Sequence, residues 1–281
     1  MPAVSVRFHG SLNDFLPPRR RGAVLVREFE APPGIVDVIQ ALGVPHTEVD
    51  LILAGGRAVG FGYRPADGDT VEVYGPDRSE ESTADEAGTA GPPGEPGVAA
   101  RTGLVPAPPE PRRFVLDGHL GRLARYLRLL GFDSRYDRNA PDAVLARVSA
   151  AEDRILLTRD RGLLKRSIVR HGYLVRDDDP RRQLREVVAR YELTGRAAPF
   201  SRCVRCNGAI HPVEKAEVEE RLAGEPRTLR YFEDFGRCDG CGAIYWPGSH
   251  YERMSRLLDE VLHSGPAIGE NRSAVSREDG R

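Results

Sequence analysis

The apolar residues of this chain switch between strand-like runs and helical spacing, and the switch is sharpest between Arg113 and Phe132. Phe114, Val115 and Leu116 form a short continuous apolar run, the pattern of a buried strand. Asp117 stands at its end and Gly118 loosens the chain. Leu120, Leu123, Ala124, Leu127 and Leu130 then recur at helical spacing, with Arg122, Arg125 and Arg128 off that stripe. Gly131 is a natural helix stop. Open α/β sheets build sites from strands that deliver a carboxylate at their carboxyl end and turn into a helix. An Asp in that place also serves as a plain helix cap.

The same alternation continues to residue 200. Asp133–Tyr136 reads as a short strand. Pro141 opens a helix carrying Ala143, Val144, Ala146, Arg147 and Ala150, with Asn139 as its expected cap. Ile155, Leu156 and Leu157 form a second buried strand that runs into Thr158, Arg159 and Asp160. Leu163 and Leu164 begin a helix, Tyr173–Val175 is a third strand, and Leu184, Val187, Val188 and Tyr191 lie at helical spacing. Strands alternating with helices predict a mostly parallel sheet flanked by helices.

Residues 1–76 predict a separate small α/β unit. Val4, Val6 and Phe8 alternate as on a half-buried strand, and Leu25–Phe29 can pair with it. Ile35, Val38, Ile39 and Leu42 mark a helix ended by Gly43. Leu51–Leu53 and Val71–Tyr74 are further strands between Gly- and Asp-rich turns. This β-β-α-β-β order, with DLILAGGRAVGF and then DGDTVEVYGP, resembles the ubiquitin-like (β-grasp) sulfur-carrier fold. Those carriers end in a free Gly-Gly. Here Tyr74-Gly75-Pro76 runs on and Gly55-Gly56 lies inside a turn, which points to docking or regulation and to a protein partner for residues 1–76.

Residues 77–111 are rich in Pro, Gly and acidic residues and too poor in large apolar ones to repay ordering, so a flexible acidic linker is expected there. A frayed tail is expected over 264–281. The net charge of −1 conceals an asymmetry: Arg112–Arg202 holds 21 Lys and Arg against 12 Asp and Glu. Such a segment suits a polyanion such as nucleic acid, or simply uses Arg as its solvated residue. No apolar run approaches a membrane span, and Met1–Leu16 lacks the apolar core of a signal peptide, so no membrane association and a cytoplasmic location are expected.

All four cysteines fall in residues 201–263. Cys203-Val-Arg-Cys206 and Cys238-Asp-Gly-Cys241 are two C-x-x-C pairs separated by 31 residues. Four thiolates in two knuckles match tetrahedral structural zinc, with no coordination position left for chemistry. The insertion between them predicts a helix over Val213–Leu222. Arg227, Arg230, Tyr231, Phe232, Tyr245 and Trp246 are candidates either for nucleic-acid contacts or for the ribbon's own small core.

A second constellation is acidic. Asp117 and Asp160 each follow a strand, and in a parallel sheet both emerge at one edge. Asp142 starts the helix between them. Carboxylates gathered there would repel one another without a cation, and Mg²⁺ or Mn²⁺ suits oxygen ligands. Such an ion activates water for phosphodiester hydrolysis. Arg122, Arg125, Arg159 and Arg161 are the expected phosphate contacts. Asp142 can equally be read as favouring the helix dipole alone, and Asp160-Arg161-Gly162 as a turn alone.

LDGHLGRLARYLRLLGFDSRYD, then DAVLARVSAAEDRILLTRDRGLL, then the two cysteine knuckles, in order from about Arg113 to Leu262, resemble the Mut7-C family. That family is a branch of PIN-like nuclease domains with a C-terminal zinc ribbon, and its bacterial members carry a ubiquitin-like module ahead of it. The resemblance implies a PIN-like fold at 112–200, a zinc ribbon at 201–263 and a metal-dependent ribonuclease, and single-stranded RNA is the expected partner. Its acids fall on Asp117 and Asp160, with Asp142 at the helix start. Asp177, Asp178 and Asp179 match a fourth acid by position only. A non-catalytic RNA-binding protein and an adaptor acting through residues 1–76 are the alternatives.

Overall fold

The computed structural model describes residues 1–76 and 103–263. Most of the expected linker and the whole expected tail lie outside the described residues. The described residues divide into two compact units: 1–76, 103–121 and 134–176 in the first, and 122–133 and 177–263 in the second.

The first unit opens with a five-stranded mixed sheet. Its strands are β1 (Ala3–Phe8), β2 (Leu25–Glu28), β3 (Leu51–Ala54), β4 (Arg57–Val59) and β5 (Thr70–Tyr74), in the order β2-β1-β5-β3-β4. β1 and β5 are parallel, and the other pairs are antiparallel. Helix α1 (Ile35–Leu42) buries Ile35, Val38 and Ile39, and Gly43 ends it at φ 118°. That left-handed geometry is costly for any residue with a Cβ. The strands and helix follow the sequence pattern. The β4 hairpin arm and a 3-10 helix over Gly10–Phe15 were not anticipated.

The same unit carries a four-stranded sheet built from β6 (Arg113–Leu116), β7 (Asp133–Tyr136), β8 (Ile155–Thr158) and β9 (Gly172–Leu174), in the order β7-β6-β8-β9. β6, β8 and β9 run parallel, with Leu116 opposite Leu157 and Thr158 opposite Leu174. Helix α2 (Gly121–Leu129) follows β6, α3 (Asp142–Ala151) joins β7 to β8, and α4 (Arg161–Leu164) joins β8 to β9. The register explains the apolar runs. Val115 and Leu156 lie side by side on one face, and Phe114, Leu116, Ile155 and Leu157 occupy the other, all buried. α3 is not capped by Asn139: Pro141 is its N-cap, and Asn139 N–H donates to Asp137.

Val115, Leu156, Leu145, Ala146, Leu163, Leu164, Val169 and Leu174 share one continuous core with Val4, Val6, Phe8, Phe15 and Ile39. The two sheets of this unit are therefore packed as one body. Leu104 adds to that core, and its N–H donates to Asp50 O at 3.3 Å, so the described end of the expected linker lies along the unit.

The second unit holds α2, then α5 (Pro180–Arg190), capped by the Asp179 carboxylate, and a three-stranded antiparallel ribbon. The ribbon strands are β10 (Ile210–Val213), β11 (Phe235–Cys238) and β12 (Ile244–Tyr245). The expected helix over Val213–Leu222 does not form. Val213 pairs with Phe235 at the end of β10, and only a 3-10 turn, Lys215–Glu217, follows, closed by a Glu214–Glu217 capping box. Val218 and Leu222 still turn inward, and with Phe235 they make the ribbon's core, against which Phe232 and Trp246 pack. Those two aromatics fill a core. Tyr231, on α6 (Pro226–Tyr231), stays 68% exposed. Helix α7 (Ser249–His263) closes the described chain.

Candidate active site and metal centre

The parallel register carries Asp117 and Asp160 to one edge of the four-stranded sheet. Asp117 N–H donates to Leu157 O at 3.2 Å, so residue 117 ends β6 beside the end of β8. Its carboxylate is 6% exposed as a residue and takes three hydrogen bonds. Oδ1 accepts from His119 N at 2.9 Å, and Oδ2 accepts from Arg159 N at 2.8 Å and from the Thr158 hydroxyl. A carboxylate offers about four lone-pair positions, so one direction at Oδ1 is left for an outside ligand. The His119 ring, largely exposed, brings Nδ1 to 3.7 Å from that oxygen.

Thr158 is fully buried and ties the two acids together. Its hydroxyl donates to Asp117 and accepts from Asp160 N–H at 2.9 Å. Asp160 is exposed and caps α4, Oδ1 accepting from Gly162 N at 2.7 Å. Among the described residues no donor reaches Oδ2. Asp142 is exposed at the first turn of α3, where it caps nothing. The loop leading to it is pressed against Gly118: a Cβ there would stand 2.4 Å from Arg138 O, and Tyr136 donates its hydroxyl to Gly118 O at 3.0 Å. Among the described residues, the three aspartates do not form a group with ligand atoms all within 4.8 Å of one another; the four cysteines do. All-oxygen donors, with one open position on Asp117 and Oδ2 of Asp160 open, fit a hard cation that keeps much of its water shell.

The expected phosphate-binding arginines differ in how they are held. Arg122 and Arg125 are exposed on α2, and Arg159 is exposed beside Asp117. Arg161 has other employment: Nη1 donates to Phe15 O at 2.7 Å and Nη2 to Asp14 O at 3.1 Å. Asp177 and Asp179 are also committed, the first to Arg182 and the second to the cap of α5. The Arg182 guanidinium holds the Asp177 carboxyl below the usual range.

The cysteines form two matching knuckles. Asn207 N donates to Cys203 O and Gly242 N to Cys238 O, each at 2.9 Å, with Asn207 and Gly242 both at positive φ. Gly208 supplies room: a Cβ there would lie 3.0 Å from Cys238 Sγ. Cys203 and Cys241 sulfurs are 3.6 Å apart, and Cys206 and Cys238 sulfurs 3.3 Å. Zn–S bonds of about 2.3 Å in a tetrahedron require roughly 3.8 Å between sulfurs, so four thiolates fit zinc after small shifts.

Burial opposes the Cys203 thiolate, but the Tyr245 hydroxyl and the backbone N–H groups of Cys206 and Arg205 outweigh it and bring the thiol to about 6. The Gly208 N–H favours the Cys206 thiolate, yet burial and the three neighbouring sulfurs push that thiol up to about 12. Four thiolates gathered this closely need a cation among them. Tyr245, whose hydroxyl is 3.0 Å from Cys203 Sγ, thus serves the cluster. Arg128 was legible only as a residue off the helix stripe. It is buried and donates to Val204 O and Arg205 O at 3.2 Å each, holding the first knuckle on α2.

The model of the Mut7-C RNAse domain matches residues 112–258, and that of the Mut7-C ubiquitin domain matches residues 1–81. The first match spans just over half of the chain, and this chain belongs to the Mut7-C family, with a nuclease-like domain following a ubiquitin-like one. No curated protein and no solved structure matches it. No helix of the described residues is long and apolar enough to cross a membrane.

Proposed function

We propose that the protein is a metal-dependent ribonuclease that hydrolyses phosphodiester bonds of single-stranded RNA, and that its four cysteines hold a structural zinc ion. The observation that carries the reading is the pair Asp117 and Asp160, leaving adjacent parallel strands at one sheet edge inside the segment matched by the RNAse domain. Asp117 and Asp160 would hold Mg²⁺ or Mn²⁺, with Asp142 as a further ligand or a residue orienting water. The chemistry such an ion supplies is a lowered pKa for water and neutralisation of charge building on the phosphate.

The chain's own groups do the rest. Thr158 and the N–H groups of His119 and Arg159 fix the Asp117 carboxylate in orientation, so no reorganisation is needed when substrate arrives. The exposed Arg122, Arg125 and Arg159 supply cations for backbone phosphates. The test is cleavage of end-labelled single-stranded RNA by the zinc-loaded full chain with Mg²⁺ or Mn²⁺ added. Cleavage that stops on chelating the added ion supports the reading. RNA binding without cleavage would favour a non-catalytic binder. Neither binding nor cleavage, with a partner captured through residues 1–76, would favour an adaptor.

A further inference from the structure

We propose that the ubiquitin-like module is a working part of this site, bracing the turn that presents Asp160 through Arg161, which is then a positioning residue and not a phosphate contact. The proposal rests on the reading of Asp160 as a metal-holding acid. Helix α4 has four residues, far too few to sustain itself, because nucleating a helical turn is unfavourable and only length or packing repays it. Its place must come from what holds it. Leu163 and Leu164 are fully buried in the core shared with the module, and that burial holds the turn in place.

The polar ties are as telling. Asp14 and Phe15 close the 3-10 helix Gly10–Phe15, so their carbonyls lack partners within it. The Arg161 guanidinium takes both and lies 5.4 Å over the Phe15 ring. Lys165 Nζ donates to Gln40 O at 2.7 Å, and the His46 ring Nε2 lies 3.1 Å from Val169 O. From Arg161 to Val169 the segment is thus fastened at three residues, each time to the module. On the other side Asp160 is fixed by Thr158 and by the Gly162 N–H. The carboxylate stands between a strand end and a helical turn whose anchorage is supplied by residues 14, 15, 40 and 46.

The experiment uses the zinc-loaded full chain carrying Arg161→Ala, Arg161→Lys or Lys165→Met, with three readouts: amide hydrogen exchange over residues 158–165, RNA affinity with its salt dependence, and kcat and KM for RNA cleavage. Arg161→Ala is expected to speed exchange over that segment at least tenfold and lower kcat at least tenfold. RNA affinity and its salt slope should stay within twofold of wild type. Arg161→Lys, able to reach one carbonyl, should recover part of both losses, and Lys165→Met should show a smaller loss of the same kind. Unchanged exchange in Arg161→Ala overturns the proposal, as does weakened RNA binding with a salt slope reduced by about one and kcat intact, the mark of a phosphate contact. Should wild type cut no RNA, the ribonuclease reading fails on that ground, and the exchange measurement still decides whether the module braces the turn.

Discussion

Replacing Asp117 by Asn and replacing Asp160 by Asn remove the same charge at the same sheet edge, yet they should cost the fold very different amounts. Asp117 accepts from His119 N, Arg159 N and the Thr158 hydroxyl, and is 6% exposed. An Asn amide has one oxygen to offer. Its NH₂ must then face a backbone donor, and the remaining bonds lose their charge. Losing a charge-assisted bond costs about 1.5–3 kcal/mol, and a buried donor without a partner about 1–3 kcal/mol more, so Asp117→Asn should destabilise the first unit by about 3–5 kcal/mol. In a unit of this size that is a fall in Tm of roughly 10 °C. Asp160 is exposed and caps α4, and Asn caps as well as Asp, so Asp160→Asn should stay within about 0.5 kcal/mol of wild type. Thermal melts followed by circular dichroism, with zinc present and Mg²⁺ and Mn²⁺ absent, measure both. If the two variants melt within about 2 °C of each other, the carboxylate network around Asp117 is not the structural element described here. The comparison also decides how activity is tested, because loss of activity in Asp117→Asn mixes chemistry with stability and Asp160→Asn does not.

Purified chain should carry about one zinc ion, and Cys206→Ser should release it and expose the ribbon to proteolysis; full metal content in that variant by mass spectrometry would refute the four-sulfur site. Burial lowers the His46 pKa from its ordinary 6.5, although a hydrogen bond to Val169 opposes this, and burial lowers His171 as well. Both are therefore protonated more readily when unfolded. Their contribution to stability is present above pH 6.5 and lost as pH falls through the depressed folded values, and urea midpoints between pH 7.5 and 5 should show the decline. Gly118→Ala drives a Cβ to 2.4 Å from the Arg138 carbonyl, a backbone atom that cannot rotate away, and should cost about 2–3 kcal/mol by urea unfolding. A midpoint equal to wild type would mean that the loop before Asp142 is not pressed on that glycine.

The strands that matter were legible because their side chains are buried on both faces. Phe114–Leu116 and Ile155–Leu157 appear as unbroken apolar runs, and the acids after them are read directly. The role of Thr158 depends on register: a hydroxyl between the Asp117 carboxylate and the Asp160 N–H is invisible until Leu116 is known to lie opposite Leu157. The pattern over Val213–Leu222 mimics a helix for a physical reason. Val213, Val218 and Leu222 fall at near-helical intervals, but Val213 belongs to a strand and the other two follow a 3-10 turn. The employment of Arg161 could not have been foreseen, since its partners lie 146 and 147 residues away and are backbone carbonyls, which carry no sequence signature. The cysteine knuckles were the most legible feature, because four ligands at that spacing leave few other arrangements.

The central claim is that Asp160, with Asp117, serves phosphodiester hydrolysis. Its most direct test is a side-by-side cleavage assay of wild type and Asp160→Asn, both zinc-loaded and matched in Tm, on labelled single-stranded RNA with Mn²⁺. The account predicts cleavage by wild type and a loss of at least about 100-fold in kcat in the variant, with RNA affinity within about twofold. Equal cleavage by the two proteins, or none by wild type on any RNA, would contradict it.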